Sequence, residues 1–81
     1  MSNDIEEQIL IKNLKKKAQA LVNKVQRRIN IKGAYENAGM KEECEFFDLL
    51  SKTNLHYQTK CELRSFIGDK ITNLDYSQKP N

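Results

Sequence analysis

From residue 5 to residue 31, apolar side chains recur at the spacing of a single helix face, and neither glycine nor proline interrupts them. Ile11, Leu14, Ala18, Leu21 and Val25 alternate at steps of three and four. At about 100° per residue they fall in one arc, which Val22 and Ile29 widen. Such a segment is an amphipathic helix that must bury its stripe against something else, so the rest of the chain is read as its partner. The segment is also where the positive charge gathers. Up to Gly33, Lys12, Lys15, Lys16, Lys17, Lys24, Arg27, Arg28 and Lys32 make eight cations against Asp4, Glu6 and Glu7, a balance of +5, whereas the remainder carries six cations and eight acids. Most of these cations lie opposite the stripe, where they face water or an anion. Ile5 and Ile9 stand outside the stripe, one turn apart on the cationic side near Lys12 and Lys16. Together they form a small patch that is both apolar and basic.

A chain of 81 residues is one domain, and at this length two or three helices bury little surface on their own, so assembly of several copies is the simplest remedy. Hydrophobic residues at 38% and charged residues at 31% fit a folded helical protein better than a disordered one. No window approaches the roughly 18 apolar residues of a membrane span. The start, Met1-Ser2-Asn3-Asp4, is acidic and lacks the apolar core of a secretory signal, so the chain is expected in the cytoplasm. There Cys44 and Cys61 are expected as free thiols.

In chain order, Asn3 or Asp4 is the candidate cap of the first helix, and Asp4, Glu6 and Glu7 suit its positive end. Lys32-Gly33 reads as the stop, and residues 33–39 as a connection with room for one helical turn. A second helix begins near Met40, with Met40, Cys44, Phe47 and Leu50 as its apolar rail, Phe46 and Leu49 beside it, and Lys41, Glu42, Glu43, Glu45 and Asp48 facing out. Between Ser51 and Glu62 the apolar side chains thin to Leu55, Tyr57 and Cys61. Asn54 is a candidate cap for a new helix, but with no glycine or proline to stop it, one long helix running on through Leu63, Phe66 and Ile67 is preferred. The polar stretch then either lies over solvent or faces other subunits or a polar ligand. Gly68-Asp69 is the expected break, with Ile71 and Leu74 on a last turn or two. The resulting fold is all-α: an antiparallel hairpin of two long helices over residues 1–75, followed by a disordered tail at 76–81.

Catalytic chemistry finds little support. His56 is the sole histidine and reads as a surface or boundary residue. Cys44, His56 and Cys61 lack the close pairs of a zinc site, and on a continuous helix the two cysteines stand about 25 Å apart, too far to bridge. The three glycines are isolated, which excludes a glycine-rich phosphate loop. Glu42, Glu43, Glu45 and Asp48 read as a solvated face. No enzyme activity, cofactor or metal is expected. The cationic arc remains: either a solubilising surface or a binding surface, for nucleic acid or for a small phosphorylated ligand held between subunits.

Ile11-Lys12, Leu14, Ala18 and Leu21-Val22, followed after a connection by Phe47, Leu50-Ser51-Lys52-Thr53-Asn54-Leu55 and Arg64, resemble the helical-hairpin family of phage sponge proteins. That family counters the bacterial CBASS and Thoeris defences by sequestering cyclic nucleotide signals. It pairs Ile and Lys in the first helix. Its second helix carries a bulky aromatic, a small residue, a basic residue and threonine, with an arginine eleven residues on, the interval from Thr53 to Arg64. Phe47 stands where tryptophan is usual and Lys52 where arginine is usual. The family's base-stacking tyrosine, upstream of the Ile-Lys pair, has no counterpart here, which leaves Ile5, Ile9 or Tyr35 to replace it. The resemblance implies a non-enzymatic homo-oligomer, commonly a hexamer, in the cytoplasm of a bacterial host. It binds cyclic di- or trinucleotides in pockets shared between subunits. Lys12 is implied as the phosphate ligand, aided by Ile9 and Lys16, with Thr53 and Arg64 in a second polar pocket or an interface. The alternative is a small helical regulatory protein whose basic first helix binds a host protein or nucleic acid.

Overall fold

The computed structural model describes residues 2–33 and 36–78, with side chains for residues 5–33 and 36–74. The chain forms three helices, α1 (Ser2–Lys32), α2 (Met40–Ser51) and α3 (Tyr57–Gln78), and there is no strand among the described residues. The stripe of α1 is buried as its spacing requires: Leu14, Ala18, Leu21, Val22, Val25 and Ile29 are all inside, and Ile11 packs against them from the edge. Helical backbone begins at Ser2, so Asn3 and Asp4 lie within the helix rather than at its cap; their side chains lie outside the described residues. Gly33 ends α1 at φ 90°, and its N–H donates to the Ile29 carbonyl at 2.7 Å. This left-handed cap closes the last turn at no steric cost only because the residue has no Cβ. A turn over residues 36–39, with Asn37 at φ 62°, then reverses the chain into α2.

The two-helix hairpin is corrected here to a three-helix bundle, because the long second helix breaks at residues 52–56 and not at Gly68-Asp69. Ser, Thr and Asn side chains offer the backbone alternatives to helical hydrogen bonds, and three of them cluster at Ser51, Thr53 and Asn54. The Thr53 hydroxyl donates to the Leu50 carbonyl at 2.8 Å and accepts from the Leu55 N–H at 3.4 Å. Leu55 then turns inward to 7% exposure, an apolar pin holding the reversal. His56, not Asn54, caps the new helix: its Nδ1 accepts from the Gln58 N–H at 3.3 Å and its carbonyl from the Lys60 N–H at 3.0 Å. Downstream, α3 passes through Gly68 without interruption. Glycine inside a helix costs about 1 kcal/mol, whereas burying an isoleucine contributes roughly 1.5–3 kcal/mol. Ile67 and Ile71, on either side of Gly68, are both buried.

The course of the chain is up, down, up. Ala38, ahead of α2, packs on Val25 and Ile29, while Phe46 and Leu50 join the cluster that begins at Leu14. Leu74 of α3 returns to the Val25–Ile29 end, so α3 runs parallel to α1 and antiparallel to α2. The register of α2 also differs from its expected rail. Met40 and Cys44 are exposed and Phe47 is half-buried, while Phe46, Leu50 and Glu42 face inward. Glu42 is 1% exposed, a correction to its reading as part of a solvated acidic face. The reason is Arg28, which leaves the cationic arc to meet it. The guanidinium donates to Glu42 Oε1 and to the Ala38 carbonyl, each at 3.3 Å, and more closely to Oε2. A buried carboxylate is tolerated when paired in this way and hydrogen-bonded.

At 1.5 Å per residue α1 is about 46 Å long and α3 about 33 Å, so some nine residues of α1 lack a neighbour alongside. They are the first ones: residues 5–10 are all exposed. The overhang explains the extents of 51 × 19 × 17 Å and the radius of gyration of 14.2 Å, against about 12 Å for a compact chain of this length. Among the described residues no helix is long and apolar enough to cross a membrane.

Candidate functional site

The outward face of α1 carries Ile5, Ile9, Lys12 and Lys16 at steps of four, three and four. Ile5 is 63% and Ile9 54% exposed, and both lysines reach solvent. Each sits opposite the buried stripe, so the packing that fixes α1 in the bundle also fixes this face outward. Among the described residues, ion pairs form at Arg28–Glu42 and Lys52–Asp48, and no carboxylate pairs with Lys12, Lys15 or Lys16. A row of lysines without local counter-charge makes a positive potential that attracts anions. Arg28, counted in that arc from the sequence, is spent internally. Its pairing holds the Glu42 carboxyl below its ordinary 4.5, with the Arg28 hydrogen bonds as the main cause and burial opposing them.

Thr53 and Arg64 lie elsewhere. Thr53 is in the α2–α3 turn with its hydroxyl engaged on Leu50 and Leu55. Arg64 projects from the α2-facing side of α3 and stacks its guanidinium over Phe47, 4.5 Å from the ring centroid. Within one chain these two residues and the Ile9–Lys12–Lys16 face stand on different surfaces of the bundle. Near Arg64, the Cys61 thiol holds the Tyr57 hydroxyl above its ordinary 10.0, against the Arg64 charge that draws it down. Both cysteines are free; the break between α2 and α3 removes the continuous-helix spacing first assigned to them. Tyr35, a candidate stacking residue, lies outside the described residues.

Sequence reasoning missed a second basic cluster, along the seam between α1 and α3. Phe66, read only as a core residue, is half-buried, with its ring under two ammonium groups: Lys15 Nζ at 5.8 Å and Lys70 Nζ at 5.0 Å from the centroid. The available signal was the step of four from Phe66 to Lys70, which places cation and ring on one face. Opposite this seam, a groove between α2 and α3 of about 360 Å³ is lined by Glu43, Cys44, Phe47, Ile71 and Thr72, among others. Among the described residues no lysine or arginine lines it, so it does not suit an anion. Among the described residues no three His, Cys, Asp or Glu side chains gather where they could hold a metal ion. A scan of protein-family models, a search of curated proteins and a search of solved structures each returned no match to this chain.

Proposed function

We propose that the protein is a phage-type anti-defence sponge that binds and sequesters cyclic oligonucleotide messengers without cleaving them. The observation that carries the reading is the row of lysines on α1, Lys12, Lys15 and Lys16, which have no carboxylate partner among the described residues, beside the exposed Ile5 and Ile9. A cyclic dinucleotide presents two negative phosphates and two flat bases. Lysines answer the first and an apolar wall the second. In this reading several copies, a hexamer being the expected number, complete the pockets between them: Ile9, Lys12 and Lys16 line one, and Thr53 and Arg64 serve a second polar pocket or an interface. The mechanism is stoichiometric. Tight binding lowers the free messenger in the cytoplasm of the infected bacterium, and its effector stays inactive. Calorimetric titration with cyclic di- and trinucleotides tests this directly. Binding is expected, with Lys12→Ala removing most of the affinity; no heat with any of them at high micromolar ligand ends the proposal.

The overhang of α1 favours one alternative, a small regulatory protein whose basic first helix binds nucleic acid or a host protein. An exposed end bearing Ile5, Ile9 and Leu10 next to a lysine row is also the shape of a docking helix. A mobility shift with duplex DNA or RNA that weakens steeply with salt, and that no single lysine dominates, selects this reading over the sponge.

A further inference from the structure

We infer that the seam between α1 and α3 at Phe66 is a nucleotide seat, with a base lying against the Phe66 ring and a phosphate held between Lys15 and Lys70. The inference rests on the cyclic-nucleotide reading.

Three features of the seam point to a nucleotide. First, two like charges from different helices converge on one ring, at 5.8 and 5.0 Å from its centroid. Such a pair repels itself, and the attraction of an ammonium for a ring is weak at a partly exposed site. A phosphate between the two nitrogens relieves the repulsion. Their shared distance to the centroid keeps them within about 11 Å of each other, a gap that two flexible four-carbon arms can close. Second, the acids on the same part of α3 do not neutralise them. Glu62, one turn before Phe66, and Asp69, beside Lys70, are both exposed, and neither forms an ion pair with Lys15 or Lys70. Third, Phe66 packs on the core yet is not fully buried, so the ring is held in place while a minor part of it stays open. A fixed aromatic surface flanked by cations suits a nucleotide, whose base stacks and whose phosphate is anionic. It does not suit an apolar peptide, which would have to strip water from both ammonium groups.

The test is an amide-resolved NMR titration of the full chain with cyclic di-adenosine and cyclic di-guanosine monophosphate, paired with calorimetry on variants. One of the two probes is expected to shift Lys15, Phe66 and Lys70. Phe66→Leu keeps apolar packing but removes the ring, and should weaken binding about tenfold. The pair Lys15→Gln/Lys70→Gln replaces no residue of the core cluster and should weaken it at least as much, whereas Lys41→Gln on α2 should not. If the wild type binds while both variants bind equally well and the shifts stay on the Ile9–Lys16 face, the seat is wrong and the sponge reading stands. If the wild type binds neither these probes nor any cyclic trinucleotide, the sponge reading falls and takes the seat with it.

Discussion

Gly39 is required by space rather than by backbone conformation. Its φ of −107° is open to any residue, but a Cβ there would lie 2.5 Å from Ile71 Cγ2 and 3.2 Å from Ile71 Cγ1. Ile71 is 3% exposed and packed in the core, so it must shift to make room. Gly39→Ala should therefore destabilise the fold by about 1–3 kcal/mol in urea unfolding, the usual cost of overpacking. Nearby, Arg28 and Glu42 tie the top of α2 to α1. Arg28→Ala leaves Glu42 as a buried unpaired charge and should cost about 3 kcal/mol at neutral pH, while Arg28→Met/Glu42→Leu should recover most of the loss. The pair also sets a pH dependence. Because folding lowers the Glu42 pKa from its ordinary 4.5, its contribution is complete above that value and fades as pH falls below it. Glu42→Gln should flatten the fall of urea midpoint between neutral and acidic pH; an unchanged slope would assign the acid sensitivity to other carboxylates. Sequence spacing alone did not reveal this pair, because Glu42 sits in a run of acids and its partner is fourteen residues away on another helix.

At the scale of the element, α1 was legible almost residue by residue, since a stripe of seven apolar positions and a Lys32-Gly33 stop agree on one answer. The second half was less so. Two apolar segments joined by Ser51-Lys52-Thr53-Asn54 fit either a continuous helix or a reversal, and the choice depends on where Leu55 goes. If Leu55 could stay in solvent, helix would win; buried at 7% exposure, it pulls the chain inward and the turn wins. Leu55→Ala should accordingly cost about 2–4 kcal/mol, large for a residue in a five-residue connection. Thr53→Val, which removes only the hydroxyl that bridges Leu50 and Leu55, should cost about 1 kcal/mol. Denaturant unfolding of the two variants checks the ranking, and a Thr53→Val loss exceeding that of Leu55→Ala would make the hydroxyl the pin. The same half hid the seam at Phe66. A phenylalanine in an apolar rail looks like core, and only the parallel return of α3 brings Lys15 to its ring.

For the molecule as a whole, the question is why a chain this small leaves the start of its longest helix uncovered. Ile5, Ile9 and Leu10 belong to neither core cluster, because α3 starts only beyond them along α1, and their exposures are 63%, 54% and 37%. An apolar surface with no role inside the chain is one that another molecule can cover. If that molecule is a second copy, as the sponge reading requires, folding and assembly are linked, and the melting temperature should rise with protein concentration. Ile5→Gln/Ile9→Gln separates the two contributions. At low concentration the variant should melt within the range of an ordinary surface change, about 0.5 kcal/mol from the wild type, because neither side chain touches the core. Raising the concentration should lift the wild type's melting temperature and sedimentation coefficient and leave the variant's flat. A wild type whose melting point is independent of concentration, with the sedimentation of a 9.5 kDa monomer throughout, would remove the pockets between subunits on which the sponge reading depends.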